Sequence, residues 1–205
     1  RTPLFWALTG VMFFTSITTY TISVQLVACL VDTGFSSLQA AFIFGLVGML
    51  SIVGMLGAGA LAERIGERWT ATISYGGTVL GLGLLSVAMS QPSVLVVGGF
   101  VALFGTMQGS RGPLVATLAA RGFPGAMGRV YGMVLLGMGA GAAIGSWASG
   151  TLYDLTGGYR AGFALSAACA ICGWALFWFL PVMSGSTRGA DPVVAPPGRR
   201  DTAPG

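Results

Sequence analysis

Long apolar runs separated by short polar turns dominate the hydropathy pattern of this chain. Each run continues for about 20 residues or more, the length that a membrane-spanning helix needs. None shows the two-residue alternation of a membrane β-strand. The runs extend approximately from Pro3 to Cys29, Ser37 to Ala62, Trp69 to Ser90, Ser93 to Ala120, Arg129 to Tyr153 and Arg160 to Met183. The pattern predicts an all-α membrane protein with six transmembrane helices.

The connections between these runs are short and contain the Gly, Pro, Asp and Ser residues that turns favour. Such connections predict helical hairpins that pack side by side. Residues 1–183 form the predicted six-helix bundle. Residues 184–205 are rich in Pro, Gly and Arg and contain little to bury, so they are predicted to be a disordered cytoplasmic tail.

Composition supports a membrane location and weakens most enzyme hypotheses. Hydrophobic residues make up 54% of the chain and charged residues 8%, more apolar surface than a soluble core of this size can cover. Histidine is absent, which excludes an imidazole relay or a histidine metal ligand in this chain. Cys29, Cys169 and Cys172 lie in apolar runs and are interpreted as packing residues. We therefore expect no catalytic residue, metal or cofactor.

The arginines are distributed unevenly between the two ends of the predicted bundle. One end carries Arg1, Arg64, Arg68, Arg121, Arg129, Arg188, Arg199 and Arg200. The other end carries Arg160 together with Asp32 and Asp154. The positive-inside rule then places both ends of the segment in the cytoplasm. The net charge of +4 comes from these loops, so the lipid bilayer is an expected partner and nucleic acid is not.

Many glycines recur at a spacing of four residues, which places them on one face of a helix. The clearest sets are Gly137 with Gly141 and Gly145, Gly105 with Gly109, and Gly77 with Gly81. Small residues at this spacing allow helix backbones to approach closely in lipid. The alternative is that they form sliding surfaces and kinks in a protein that moves.

The loop between the second and third runs, GALAERIGERW, has alternating charges beside glycines. Taken alone it is an ordinary charged turn. It also resembles the loop motif of the major facilitator superfamily, Gly-x-Leu-x-Asp-Arg-x-Gly-Arg-Arg, although Glu63 replaces the Asp and Glu67 replaces a basic residue. The matching positions, interpreted as a gating loop, are Gly59, Glu63, Arg64, Gly66 and Arg68.

Two further stretches are similar to bacterial monocarboxylate-porter-like and oxalate/formate-antiporter-like members of that superfamily. They are QLVACLVDTGFSSLQAAFIFGLVGML and GSWASGTLYDLTGGYRAGF. The resemblance implies the C-terminal half of a twelve-helix secondary transporter that moves a small organic anion by alternating access. It also implies a missing N-terminal six-helix half, expected in the same polypeptide, and a cavity lined by the first and fourth helices of each half.

Arg111 is the single charge between Val94 and Ala120. At 1.5 Å per residue it lies about 27 Å along the helix from Ser93, in the inner half of the bilayer. A charge at that depth usually faces protein or a water-filled cavity. With Phe100, Phe104 and Gln108 it falls on one helical stripe, which suits binding of an organic anion. A structural ion pair, gating, or snorkelling to the surface are the alternatives.

The first run is polar for its depth, and its hydroxyl groups occupy one broad face. Lining of an aqueous cavity and hydrogen bonding within the helix itself are both consistent with this pattern. The proposed substrate-contacting residues there are Thr15, Thr19, Tyr20 and Ser23. At the other end of the bundle, Asp154 and Arg160 flank a Gly-Gly turn, interpreted as a structural turn or an outer gate.

Some features leave the substrate class open. Within the second and fifth runs, neither Met49 to Ala60 nor Met133 to Ser149 contains a basic residue, although similar anion carriers often have one there. Drug or metabolite efflux, or a non-transporting sensor or scaffold, are the alternative functions, although efflux of a cation usually needs an acidic residue in the cavity. The absence of lysine beside abundant Arg, Ala and Gly suggests a bacterial inner membrane.

Overall fold

Six membrane-length helices make up the part of the chain that the computed structural model describes, residues 2–91 and 93–179. They are α1 (Thr2–Asp32), α2 (Ser37–Ile65), α3 (Glu67–Ser90), α4 (Val94–Gly122), α5 (Met127–Thr156) and α6 (Arg160–Phe179). The prediction of an all-α protein with six transmembrane helices is confirmed. The predicted end of the sixth run, Met183, and the predicted disordered tail lie outside the described residues.

Local sequence explains where several helices begin and end. The Ser36 side chain accepts a hydrogen bond from the Gln39 backbone, and the Gln39 side chain accepts one from Ser36, which forms a capping box at the start of α2. Gly66 has a φ of 86° and lies between α2 and α3. Gly157 ends α5 in the left-handed region, with a φ of 66°. Glycine permits both chain reversals without the strain that a Cβ atom adds there.

Helix α4 is irregular in its middle. Residues Val101–Gly105 form a π-helical turn, and a second irregularity at Ser110 precedes a regular segment that starts at Arg111. Pro113 lies in the first turn of that segment, where a missing backbone N–H costs no helical hydrogen bond. Residues on the two sides of these irregularities are therefore not related by the regular rotation of 100° per residue that the sequence analysis assumed.

Close glycine contacts join α1 to α5. A Cβ atom on Gly141 would lie 2.4 Å from the Phe13 carbonyl oxygen, and one on Gly145 would lie 2.9 Å from the Ile17 carbonyl oxygen. Both distances are shorter than atoms can tolerate, so the two helices approach too closely for any larger residue. The prediction that these glycines mediate tight helix packing is confirmed.

Close glycine contacts also join α2 to α4, and here each helix contributes one glycine. A Cβ atom on Gly54 would lie 1.7 Å from the Thr106 carbonyl oxygen, and one on Gly109 would lie 1.8 Å from the Ser51 carbonyl oxygen. Each helix thus contributes a glycine at the point where the other helix's backbone passes.

Burial differs strongly among the helices. In the most apolar stretch of α1, 56% of residues are buried, whereas the figure is 17% for α2 and 22% for α5. Helix α1 therefore occupies the centre of the six-helix bundle, while α2 and α5 direct most of their apolar side chains outward.

We expect Gly109→Ala, in the full-length protein, to lower the stability of the fold by about 1–3 kcal/mol, the usual effect of forcing extra atoms into a tightly packed contact. The added methyl group overlaps the Ser51 backbone, which cannot move aside as a flexible side chain can. The midpoint of thermal unfolding in detergent measures the effect.

Gly112→Ala is the matched control, because Gly112 lies in the same helix and has open space around its Cβ position. It should leave the midpoint unchanged or raise it slightly, since alanine favours helix more than glycine does. Equal midpoints for the two variants would contradict the close α2–α4 contact.

Candidate functional site

Arg111 lies inside the bundle, against α3. Its side chain is 2% exposed. Its Nε donates to the Ser74 hydroxyl at 3.1 Å, and its Nη2 donates to the Ser74 carbonyl oxygen at 3.3 Å and to the Thr78 hydroxyl. Ser74 and Thr78 are four residues apart and therefore project from the same face of α3. This face holds the guanidinium group through neutral oxygen atoms.

Tyr75 contacts the same guanidinium group from another direction. The Arg111 Cζ lies 4.2 Å from the centroid of the Tyr75 ring, a cation–π contact that contributes on the order of 2 kcal/mol where water is excluded. The Tyr75 hydroxyl shares a hydrogen bond of 2.8 Å with the Thr15 hydroxyl in α1. The side chains of Arg111, Tyr75 and Thr15 thus connect α4, α3 and α1.

Among the described residues, no acidic side chain forms an ion pair with Arg111, in contrast to Arg121, which pairs with Glu67. A buried charge is costly unless it is paired. The Arg111 hydrogen bonds described above come from Nε and Nη2, and a guanidinium group has five N–H donors. Arg111 therefore retains an uncompensated charge. It also retains N–H groups that can donate hydrogen bonds to a carboxylate.

Of the other predicted members of the α4 stripe, Phe104 also contacts α3. The Phe100 and Phe104 rings are buried and stack with centroids 5.2 Å apart. Phe104 contacts the Cβ position of Gly81 in α3. Gln108 is half-buried, and its Oε1 atom is buried without a hydrogen-bond partner among the described residues. The structure brings the two phenylalanines together in the helix packing, and substrate contact by these three residues stays a prediction.

The predicted hydroxyl face of α1 divides into two groups. Thr15 is buried and bonded to Tyr75, and the neighbouring Thr18 and Thr21 donate to backbone carbonyls of α6 and α5. The other predicted residues are more accessible and make no hydrogen bond with the rest of the described chain: Thr19, Ser23 and the 38% exposed Tyr20. The structure therefore links Thr15 to Arg111 through Tyr75, whereas Thr19 and Ser23 are half-buried and Tyr20 is exposed.

An apolar groove of about 570 Å³ separates the first turns of α2 and α4. Its lining includes Phe35, Leu38 and Phe42 on one side and Val94, Val97 and Val101 on the other. Arg111 does not line this groove.

The predicted gating loop is mostly accessible. Its exposed members are Gly59, Glu63, Arg64 and Gly66. The Arg68 guanidinium lies 5.7 Å from the centroid of the Trp178 ring. Glu67, which departs from the family motif, accepts a 2.6 Å hydrogen bond from Arg121 at the end of α4. The acidic substitution at Glu67 therefore connects this loop to α4.

At the other end of the bundle the structure does not bring Asp154 and Arg160 into an ion pair. Arg160 donates to the Ser90 hydroxyl at 3.3 Å, and Asp154 is exposed. The Tyr159 hydroxyl donates to the Asp32 carboxylate at 2.6 Å. Burial, and after it the hydrogen bond to Asp32 and the negative charge there, raise the pKa of Tyr159 above its ordinary value. Tyr159 therefore remains a hydrogen-bond donor over the physiological pH range.

The sequence analysis missed the α3 residues that hold Arg111: Ser74, Tyr75 and Thr78. A signal was present, because Thr70, Ser74 and Thr78 recur every four residues within an apolar span. Polar side chains repeated on one face of a membrane helix indicate a polar partner on a neighbouring helix.

Comparison with known proteins gives a consistent result. Residues 7–201 match the family described as Major Facilitator Superfamily. The chain is 28% identical over 182 residues to monocarboxylate transporter 13 of Rattus norvegicus. This match covers 85% of this chain and 42% of the rat protein. It is 27% identical over 145 residues to the MFS-type transporter lnaF of Aspergillus flavus, covering 68% of this chain and 29% of that protein.

A solved structure supports the fold. The crystal structure of a POT family transporter in complex with 5-aminolevulinic acid superposes with a TM-score of 0.74 at 17% identity. The match covers 85% of this chain and 37% of that chain. The chain thus spans less than half the length of these relatives, all of which are named as transporters and none as an enzyme.

We expect Tyr159→Phe to lower the unfolding free energy by about 1 kcal/mol or more at neutral pH, because it removes a hydrogen bond to a charged carboxylate. The raised folded-state pKa means that the unfolded tyrosine loses its proton first as the pH rises. The wild-type advantage should therefore shrink above about pH 10, the ordinary tyrosine pKa. Denaturation of both proteins between pH 7 and 11 measures this difference.

Tyr153→Phe is the comparison variant, since Tyr153 packs beside the Tyr159 ring at 4.9 Å and contributes less to the raised Tyr159 pKa than burial and Asp32 do. It should keep most of the wild-type pH dependence. A difference between wild type and Tyr159→Phe that stays constant across this pH range would contradict the assigned role of the hydroxyl.

Proposed function

We propose that this chain, which belongs to the major facilitator superfamily, is the C-terminal six-helix half of a secondary transporter. The proposed substrate is a small organic anion such as a monocarboxylate, and the proposed mechanism is alternating access. The observation that carries the proposal is the Arg111 guanidinium, which is buried in an apolar bundle without an acidic partner in the described residues.

A carboxylate substrate would meet the electrostatic need of Arg111. The planar guanidinium fork binds a carboxylate through two parallel charge-assisted hydrogen bonds. The resulting complex has no net charge, and neutrality lowers the penalty for enclosing the group in a dry environment. The name of the rat relative, a monocarboxylate transporter, agrees with this substrate class.

Alternating access is proposed because the Arg111 side chain is only 2% exposed in the described conformation. Anion binding there requires a rearrangement that opens a path to α4. The accessible hydroxyls of Thr19, Tyr20 and Ser23 on α1 are proposed to line that path, with Gln108 beside the arginine as a further polar contact.

The second half of the transporter is proposed to cover the outward faces of α2 and α5. Only 17% and 22% of their most apolar stretches are buried, and a cavity closed on all sides needs a further wall. The proposed location is a bacterial inner membrane with both ends of this segment in the cytoplasm. The arginine-rich end of the bundle supports that proposed orientation.

We expect Arg111→Gln, in the full-length protein reconstituted in liposomes, to reduce uptake of a monocarboxylate such as pyruvate by more than about tenfold. Glutamine keeps hydrogen-bond donors but removes the charge that attracts the anion. Initial uptake rates, normalised to the amount of folded protein in the membrane, measure the effect.

Arg129→Gln is the matched control, because Arg129 is an exposed arginine at the start of α5, outside both the predicted gating loop and the Arg111 site. Removing an exposed charge of this kind has little effect, so uptake should stay near the wild-type value. Unchanged uptake by Arg111→Gln at normal abundance would contradict the substrate role of Arg111.

We expect the native polypeptide extracted from its membrane to be about twice the length of this chain, because one six-helix half cannot enclose a two-sided cavity. Intact-protein mass spectrometry measures this length. A native product of the present length that purifies without a second component would contradict the proposed arrangement of two halves in one polypeptide.

A further inference from the structure

Tyr75 contacts three other helices: α4, which carries the buried charge, together with α1 and α6. Its side chain is 2% exposed. The ring lies 4.2 Å from the Arg111 Cζ in α4, and the hydroxyl bonds Thr15 in α1 at 2.8 Å. A Cβ atom on Gly173 in α6 would lie 2.8 Å from the Tyr75 hydroxyl oxygen, so glycine at that position makes room for the phenol.

The contacts of Arg111 differ in which helices they join. Ser74 and Thr78 fix the guanidinium to α3, and these bonds do not involve α1. The Tyr75 hydroxyl is different, because it reaches from the ring beneath the guanidinium to the Thr15 hydroxyl. Movement of α1 away from α3 must therefore either break this bond or pull the ring away from Arg111.

We infer that Tyr75 is a positioning residue that couples α1 to Arg111. The Thr15–Tyr75 hydrogen bond holds the conformation in which the guanidinium is sealed, and loss of the bond as α1 moves releases the guanidinium for an incoming anion. The functional meaning of this inference rests on the proposed function, because the guanidinium that is released is the proposed anion site. The structural part of this inference is that the Thr15–Tyr75 hydroxyl pair controls the accessibility of Arg111, and it can be tested without any substrate.

The test measures how fast phenylglyoxal, a dicarbonyl that modifies arginine, reacts with Arg111 in the full-length protein in detergent. Peptide mapping by mass spectrometry follows each arginine separately. Arg111 should react slowly in the wild type, since it is 2% exposed, and the 56% exposed Arg121 serves as the internal reference.

Each of two variants removes one hydroxyl of the Thr15–Tyr75 pair while keeping the size of the side chain. Tyr75→Phe keeps the ring against Arg111, and Thr15→Val keeps the shape of the threonine. Each should increase the Arg111 modification rate about tenfold, the effect of losing one buried hydrogen bond of ordinary strength. The double variant should be no faster than the faster single variant, because both changes remove the same bond.

Thr9→Val is the matched control in α1, because the Thr9 hydroxyl donates to the carbonyl of Phe5 in its own helix, and valine keeps the methyl group that packs at Gly137 of α5. Its Arg111 rate should equal that of the wild type. Gly109→Ala controls for general loosening, since its expected destabilisation arises at the α2–α4 contact. It should increase the Arg111 rate less than Tyr75→Phe does.

Three outcomes would overturn the inference: wild-type rates in both hydroxyl variants, effects that multiply in the double variant, or an equal increase in Gly109→Ala. The proposed function fails on a separate measurement, the uptake by Arg111→Gln. If the phenylglyoxal rates show that the hydroxyl pair is coupled but Arg111→Gln has normal uptake, Tyr75 keeps its positioning role. Arg111 is then not the anion site.

Discussion

In a bilayer, apolar side chains gain little by leaving lipid for protein, so the six helices must be held by contacts that lipid cannot provide. Backbone approach at glycine is the main contact of this kind here. Gly141 and Gly145 bring α5 onto α1, and Gly54 and Gly109 bring α2 and α4 together. The buried position of α1 and the placement of α4 beside α2 both depend on these approaches.

Close packing restricts which groups can surround the Arg111 guanidinium. A guanidinium group without an acidic partner needs oxygen atoms at fixed places, and the regular spacing of Ser74 and Thr78 on α3 supplies them. Ser110, adjacent to the arginine, also donates to the Ser74 hydroxyl at 2.7 Å. Neutral hydroxyl groups satisfy hydrogen bonds but leave the net charge in place, and this remaining charge makes the site suitable for an anion.

The helices and their ends were predictable because run length, turn residues and glycine spacing are properties of the local sequence. The surroundings of Arg111 were not, for two physical reasons. The π-helical turn at Val101–Gly105 changes the rotation of α4, and no local pattern announced it. The pairing of Arg111 with Ser74 depends on the register between two helices, which their separate sequences do not specify. The α1 hydroxyls were identified as one face, but their division between packing and accessible positions depends on the close approach of α5 and α6.

The division of the α1 hydroxyls connects the fixed and accessible parts of the site. Thr18 and Thr21 bond neighbouring backbones and hold α1 within the bundle, whereas Tyr20 on the same helix is accessible. Thr15 lies buried beside the first group, and its partner is a side chain rather than a backbone carbonyl. A side-chain partner can change rotamer while the helices keep their own hydrogen bonds, so this contact is the one best suited to break and re-form. In this arrangement α1 carries both the accessible hydroxyls and the contact that seals Arg111, so that a single helix movement would expose the charge and the polar path to it together.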